Sequence, residues 1–316
     1  MPAAAEWRPE EEREPRRLSF PAEAARRRDR LAGWACAAGL LCIWVSFHLM
    51  SRLTVRQALT PWDVAALRFG GAFLAALPLL AWFGLPRIPP RRWPAIVVFA
   101  GLCFPLCAYA GYQLAPAAQG STVMAAGLPV AAALLSVAMG QGRIGPWRAA
   151  SLGIVAAGCL LLGQATAGAF EGAWTGTLLF LTAVTGWAVY TLLVQRWRLR
   201  AIEATLTVAL LTGPLYLPVW YLLLPSNLAQ ASWPVIASQA AFHGIGSVLL
   251  AGFFYTRCVA LLGPGPTTMI GAAVPGLAAL LAWPLLGEAL SPMGLLAVAV
   301  VCAGLALAVL RPDRPG

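Results

Sequence analysis

Residues 43–52 read IWVSFHLMSR, and 143 positions further along residues 186–195 read GWAVYTLLVQ. The shift lays Trp44 on Trp187, Phe47 on Tyr190 and His48 on Thr191. Both stretches lie inside apolar runs long enough to cross about 30 Å of hydrocarbon, which takes roughly 20 helical residues. Farther out, a shift of 146 lays Ser121-Thr122 on Thr267-Thr268, Pro129 on Pro275, Leu134-Leu135 on Leu280-Leu281, Pro146 on Pro292 and Gly158 on Gly304. The change of three in the shift is a difference in loop length. The chain therefore divides into two copies, 31–166 and 175–310, preceded by a polar segment over 1–30.

Each copy holds five apolar runs. Helices are expected near 31–53, 61–84, 93–112, 118–139, 147–166, 175–195, 203–224, 236–258, 266–286 and 291–310. Five is an odd number, so the second copy enters the bilayer from the opposite side to the first. The fold class is an all-α integral membrane protein, ten transmembrane helices arranged as two inverted five-helix repeats, an arrangement shared by many secondary transporters. Composition agrees: 60% of the 316 residues are apolar, 11% are charged and the mean hydropathy is +0.75, whereas soluble domains carry about a quarter of charged residues.

Residues 1–30 carry eight Arg and seven acids with no apolar run, and read as a disordered cytoplasmic tail without a signal peptide. Its Arg26, Arg27, Arg28 and Arg30 are placed to hold anionic lipid headgroups. With the N-terminus inside, nineteen Arg fall on the inner side and two, Arg52 and Arg56, on the outer, with Arg68 inside the second span. This asymmetry predicts both termini in the cytoplasm and a multi-pass location in the cell (inner) membrane. The formal charge of +10 does not signal nucleic acid, because the basic residues sit between spans instead of on one exposed face. Seven Cys within apolar segments show no metal-ligand spacing and no disulfide framework. No metal and no cofactor is expected. Past the tail only Asp63, Glu171, Glu203, Glu288 and Asp313 are acidic, too scattered for an enzyme's acid–base pair, and no phosphate-binding glycine loop is present.

The candidate transport residues follow from depth. Trp44, Trp187, Pro129 and Pro275 all fall near the bilayer centre, and a mid-helix proline frees a carbonyl that cannot face lipid. They predict a midplane cavity lined by the first, fourth, sixth and ninth helices, with Tyr190 beside Trp187 and with Ser121, Thr122, Thr267 and Thr268 nearer the helix ends. The alternative is that the prolines only bend the helices and the tryptophans fill the core. His48, one turn from Trp44, either carries a proton or substrate contact or bonds to a neighbouring carbonyl; His243 poses the same choice. Arg68 either snorkels outward near Asp63 or binds a substrate anion. Tyr109, Tyr112 and Tyr255 offer further hydroxyls. Glu288, just ahead of the Ser291-Pro292 helix start, reads as structural.

The segments LGEALSPMGLLAVAVVCAG (286–304), TPWDVAALRFG (60–70), IWVSFHLMSR (43–52) and GWAVYTLLVQRW (186–197) resemble, in order and spacing, the EamA-type repeats of the drug/metabolite transporter superfamily. The resemblance spans 31–310 and implies a ten-helix exporter or exchanger of small metabolites. One departure is that Gly142 aligns with Glu288, so the acid usual after the fourth helix is missing. No span carries a mid-depth carboxylate to exchange protons for lipophilic cations. The expected cargo is accordingly neutral or zwitterionic, such as an amino acid, carried by alternating access. Drug or cation efflux and a non-transporting sensor or assembly subunit stand as alternatives. The direction of transport is open, and so is the choice between monomer and homodimer.

Overall fold

The computed structural model describes residues 20–140, 144–167 and 171–311, and the described residues fold into ten apolar helices with no strand. They are α1 (Phe20–Arg56), α2 (Pro61–Phe83), α3 (Pro90–Leu114), α4 (Ala117–Ala138), α5 (Pro146–Ala167), α6 (Ala173–Arg196), α7 (Ala201–Leu223), α8 (Trp233–Leu262), α9 (Pro264–Leu286) and α10 (Pro292–Leu310). Each is long and apolar enough to cross a bilayer. A helix satisfies every backbone group within itself, which is what hydrocarbon demands. The outward faces carry leucines such as Leu160, Leu178, Leu215 and Leu280, exposed in the protein and suited to lipid.

Punctuation follows local chemistry. Thr60 and Asp63 form a capping box at the start of α2, with Pro61 in its first turn. Ala115, which precedes Pro116, is extended at φ −139° and ψ 151°, so α3 stops and α4 restarts at Ala117 without any charged loop. The expected boundaries hold elsewhere within a few residues. The exception is α1, which begins at Phe20 and not near 31, so 20–30 of the expected disordered tail is helical. That stretch is rich in Ala, Arg and Glu with Pro21 at its first turn, all favourable to a helix. Arg27, Arg28 and Arg30 are exposed on it, whereas the Arg26 side chain and residues 1–19 lie outside the described residues.

The main contacts between the repeats recur when the two are exchanged. α1 lies on α8 and α9 as α6 lies on α3 and α4, while α2·α7, α4·α9 and α5·α10 pair each helix with its own counterpart. The α5·α10 crossing is set by the glycines that the 146-residue shift aligned. A Cβ on Gly158 would fall 2.6 Å from Val301 Cγ2, and one on Gly304 would fall 2.8 Å from Val155 Cγ2. Small residues let backbones approach where no hydrophobic drive exists between helices in lipid. The repeats also share a distortion: α3 is π-helical over Val97–Cys103 and α8 over Ala241–Leu250. In α3, Pro105 removes the donor that would pair with the Gly101 carbonyl; in α8, Gly244 and Gly246 loosen the same region.

The bundle has two ends. The distal end carries the α1–α2, α3–α4, α7–α8 and α9–α10 connections, and the proximal end carries the α2–α3, α6–α7 and α8–α9 connections.

Candidate functional site

A cavity of about 80 Å³ lies between α2, α3, α6, α7 and α8, at the junction of the two repeats. Arg68 and Ala72 contribute from α2, Ala100 from α3, Trp187 and Tyr190 from α6, and Ser247 from α8. A stripe on α7 adds Thr205, Val208, Ala209 and Thr212, at the i, i+3, i+4, i+7 spacing of one helix face. Ser247 sits halfway along α8 and Thr205 in the first turns of α7, so the cavity runs from the bundle's middle toward the proximal end.

Above the cavity an aromatic plug closes the distal half. Phe47 stacks on Phe104 at 6.0 Å and stands edge-on to His48, Tyr112 and His243. Two His–Tyr pairs complete it: His48 Nδ1 bonds the Tyr112 hydroxyl, and His243 Nδ1 bonds the Tyr109 hydroxyl at 3.0 Å. Both histidines and both tyrosines are buried. The Tyr112 hydroxyl has Met124 Sδ as its other hydrogen-bond partner, at 3.8 Å. Replacing His48 by Phe leaves that hydroxyl without a strong partner in a buried site, and stability should fall by about 1–3 kcal/mol. Thermal unfolding in detergent checks this, and an unchanged midpoint would show that the pair contributes nothing.

Beyond the plug, polar contacts latch the distal end. Arg52 Nε meets Glu288 Oε1 at 2.5 Å and Arg52 Nη1 donates to the Tyr112 carbonyl at 2.6 Å. The other Glu288 oxygen accepts from the Ala117 N–H, the first of α4, at 2.9 Å. Arg56 donates to the Leu286 carbonyl. Asp63 forms a second latch, accepting from Trp220 Nε1, Ser226 Oγ and the Asn227 N–H on α7 and the α7–α8 connection. At the proximal end, Arg92 stacks over Trp197 at 5.0 Å and Arg311 over Trp147 at 5.3 Å.

Of the residues singled out from sequence, Trp187, Tyr190 and Arg68 line the cavity. The expected set of helices does not: α2, α3, α7 and α8 replace α1, α4 and α9, and only α6 is common to both. The reason is close approach of small residues. Ala117, Val274, Ala278 and Ala282 seal α4 and α9 against Val45 and Leu49 of α1 in an apolar cluster. Ser121 and Thr122 are buried and bond to the Ala118 carbonyl at 3.0 and 2.7 Å, and Thr267 bonds to the Gly263 carbonyl at 2.8 Å. Pro275 is buried next to Val274 and Pro129 is half-buried, neither bordering the cavity. The Thr268 side chain lies outside the described residues. Trp44 turns toward α8 and α9, its ring 6.3 Å from that of Tyr255 and against Gly271. His48 belongs to the plug. Arg68 does not reach outward to Asp63; it runs inward to Ser247 Oγ at 2.6 Å and the His243 carbonyl at 3.4 Å. Glu288 is more than a local helix-start residue, since it ties α1, α4 and the α9–α10 connection together. Sequence reading missed Thr205, Thr212 and Ser247, although the polar spacing on α7 and the step of four from His243 were both available as signals.

The EamA-like transporter family matches the chain twice, over residues 31–164 and 174–310. A solved structure described as the crystal structure of a protein is 22% identical with a TM-score of 0.62, over 88% of this chain and 96% of that one, a likeness of fold. No curated protein matches the chain.

Proposed function

The chain belongs to the EamA-like transporter family, within the drug/metabolite transporter superfamily, and is a multi-pass membrane protein; we propose that it is a secondary transporter that moves a small neutral or zwitterionic metabolite, such as an amino acid, by alternating access. The observation that carries this reading is the cavity at the junction of the repeats, closed distally by plug and latches and running toward the proximal end. Repeats that enter the membrane from opposite sides have two related arrangements, one open to each face, and rocking between them moves a solute past a fixed midplane site. The arginine asymmetry supports a place in the cell (inner) membrane with the proximal end and both termini cytoplasmic, and with the proximal opening as the loading face of an exporter. The first and second copies, 31–166 and 175–310, are the two rocking units.

The cargo class rests on the cavity walls. Among the described residues they carry a guanidinium, hydroxyls and three aromatic side chains but no carboxylate, so a lipophilic cation would meet Arg68 with nothing to offset it. This disfavours drug or cation efflux. Trp187 meets Phe104 and Tyr190 in tilted contacts, its centroid 5.1 Å from each ring, and presents a large apolar surface to a cargo. Counterflow of an amino-acid and small-metabolite panel in proteoliposomes tests the proposal. Trp187→Ala should raise KM by at least about tenfold, from the loss of a large aromatic contact, with protein yield unchanged. Absence of flux for every solute would remove the transport reading, and a fall in yield with KM intact would make Trp187 a packing residue.

A further inference from the structure

Arg68 holds a full positive charge at 8% exposure, with its side chain turned to the middle of the bundle. The hydrogen bonds from Nη1 end on neutral groups, Ser247 Oγ and the His243 carbonyl, and the Tyr109 hydroxyl is a further partner of the guanidinium. Among the described residues no carboxylate forms an ion pair with it. A guanidinium offers five N–H donors in a planar fork, and a buried one without counter-charge is strongly unfavourable in a membrane interior. Ser247 also donates to the His243 carbonyl at 2.8 Å, which pins the serine and holds Arg68 by one corner.

A second group beside the same cavity is short of a partner. Thr122, Thr166, Thr207 and Thr267 each return their hydroxyl to the carbonyl four residues back. Thr212 does not: its Oγ1 is buried without a hydrogen bond, in the notch left open by the missing side chain of Gly101. Thr212 thus forgoes its own helix and borders the same cavity as a guanidinium without counter-charge, a second donor there that is short of an acceptor.

We infer that Arg68 and Thr212 form the seat of a carboxylate carried by the cargo, with Ser247 positioning the guanidinium and with Trp187 and Tyr190 taking the rest of the solute. The inference rests on the transport reading above and narrows it to small carboxylate-bearing solutes. Arg suits the task because its fork matches the two carboxylate oxygens, which the point charge of Lys does not. The cargo's carboxylate supplies the counter-charge that Arg68 lacks for as long as the solute occupies the cavity.

The experiment is competition against counterflow in proteoliposomes, each small amino acid or hydroxy acid being compared with its own amide, in gluconate and in chloride buffers. Thermal unfolding with the same compounds is measured in parallel. The amides should compete at least about tenfold more weakly than the acids. Arg68→Lys should raise KM and Arg68→Gln should abolish counterflow of acids, while Thr212→Val should raise KM at least about threefold with unchanged yield, the loss of one hydrogen bond to a charged group. Amides that compete as well as acids, or a melting-temperature rise given by chloride but not by any acid, would overturn the carboxylate seat. Acids that raise the melting temperature of the native protein but not of Arg68→Lys, in the absence of any flux, would uphold the seat and overturn transport.

Discussion

Asp63→Ala should produce the largest loss of stability of any single substitution at the distal end. The carboxylate is fully buried and accepts five hydrogen bonds. Oδ1 takes Trp220 Nε1 at 3.0 Å and Ser226 Oγ at 2.6 Å; Oδ2 takes the Thr60 N–H, the Thr60 hydroxyl and the Asn227 N–H at 3.0, 2.9 and 3.0 Å. Alanine would strand these donors away from water, at about 1–3 kcal/mol for each that finds no new partner. Even with most of them rehydrated the loss should reach about 4 kcal/mol, near the upper end for point mutations. Asp63→Asn is the sharper comparison. It keeps the volume but turns an NH₂ group toward donors, so about 2 kcal/mol should still be lost. The midpoint of heat-induced loss of the monodisperse chromatographic peak in detergent measures both. Near-native midpoints for Asp63→Ala would show that solvent reaches the site and that the carboxylate is not the organising group.

Asp63 also shows what could be read from sequence and what could not. The capping box was legible in TPWD, because a Thr followed three residues later by an acid ahead of an apolar run is a local pattern. Its reach to Trp220, Ser226 and Asn227 was not, since those lie more than 150 residues away and no periodicity encodes them. The same division runs through the whole molecule. Span number and the repeat were written in apolar run length and in pairs such as Trp44 with Trp187 and Gly158 with Gly304. Helix rotation was not, because spans that are apolar all round carry no amphipathic stripe to say which face meets protein. Pro129 and Pro275 therefore pointed to the wrong helices: a carbonyl freed by proline can be shielded by close-fitting alanines as well as by a wet gap. Arg68 stayed open between two readings for another reason. Its side chain is long enough to reach either the surface or the centre, and the choice was decided by Ser247 on a helix whose π-helical turn is invisible in the sequence.

The second large effect concerns the other latch. Opening the distal end requires α1 and α4, in the first repeat, to part from the α9–α10 connection in the second, and Glu288 holds all three through Arg52 and the Ala117 N–H. Both charged side chains are largely buried, at 14% and 12% exposure, so their attraction is only weakly screened and removing one partner leaves the other in poor solvent. Glu288→Gln keeps an acceptor for the Ala117 N–H but removes the counter-charge of Arg52. The closed state should lose about 2 kcal/mol relative to the distally open one, about a thirtyfold change in their ratio. The readout is a single cysteine at Ser51→Cys in a background with the native cysteines replaced, since Ser51 is fully buried and adjoins Arg52 in α1. A membrane-impermeant thiol reagent applied from the distal side should label it at least about tenfold faster in Glu288→Gln than in the parent. Arg52→Gln should give a similar gain, and the two together should give less than the sum, because each removes the same interaction. Labelling that stays slow in all three proteins would place the distal barrier entirely in the aromatic plug. Fast labelling in Glu288→Gln with counterflow unchanged would separate the latch from the transport cycle.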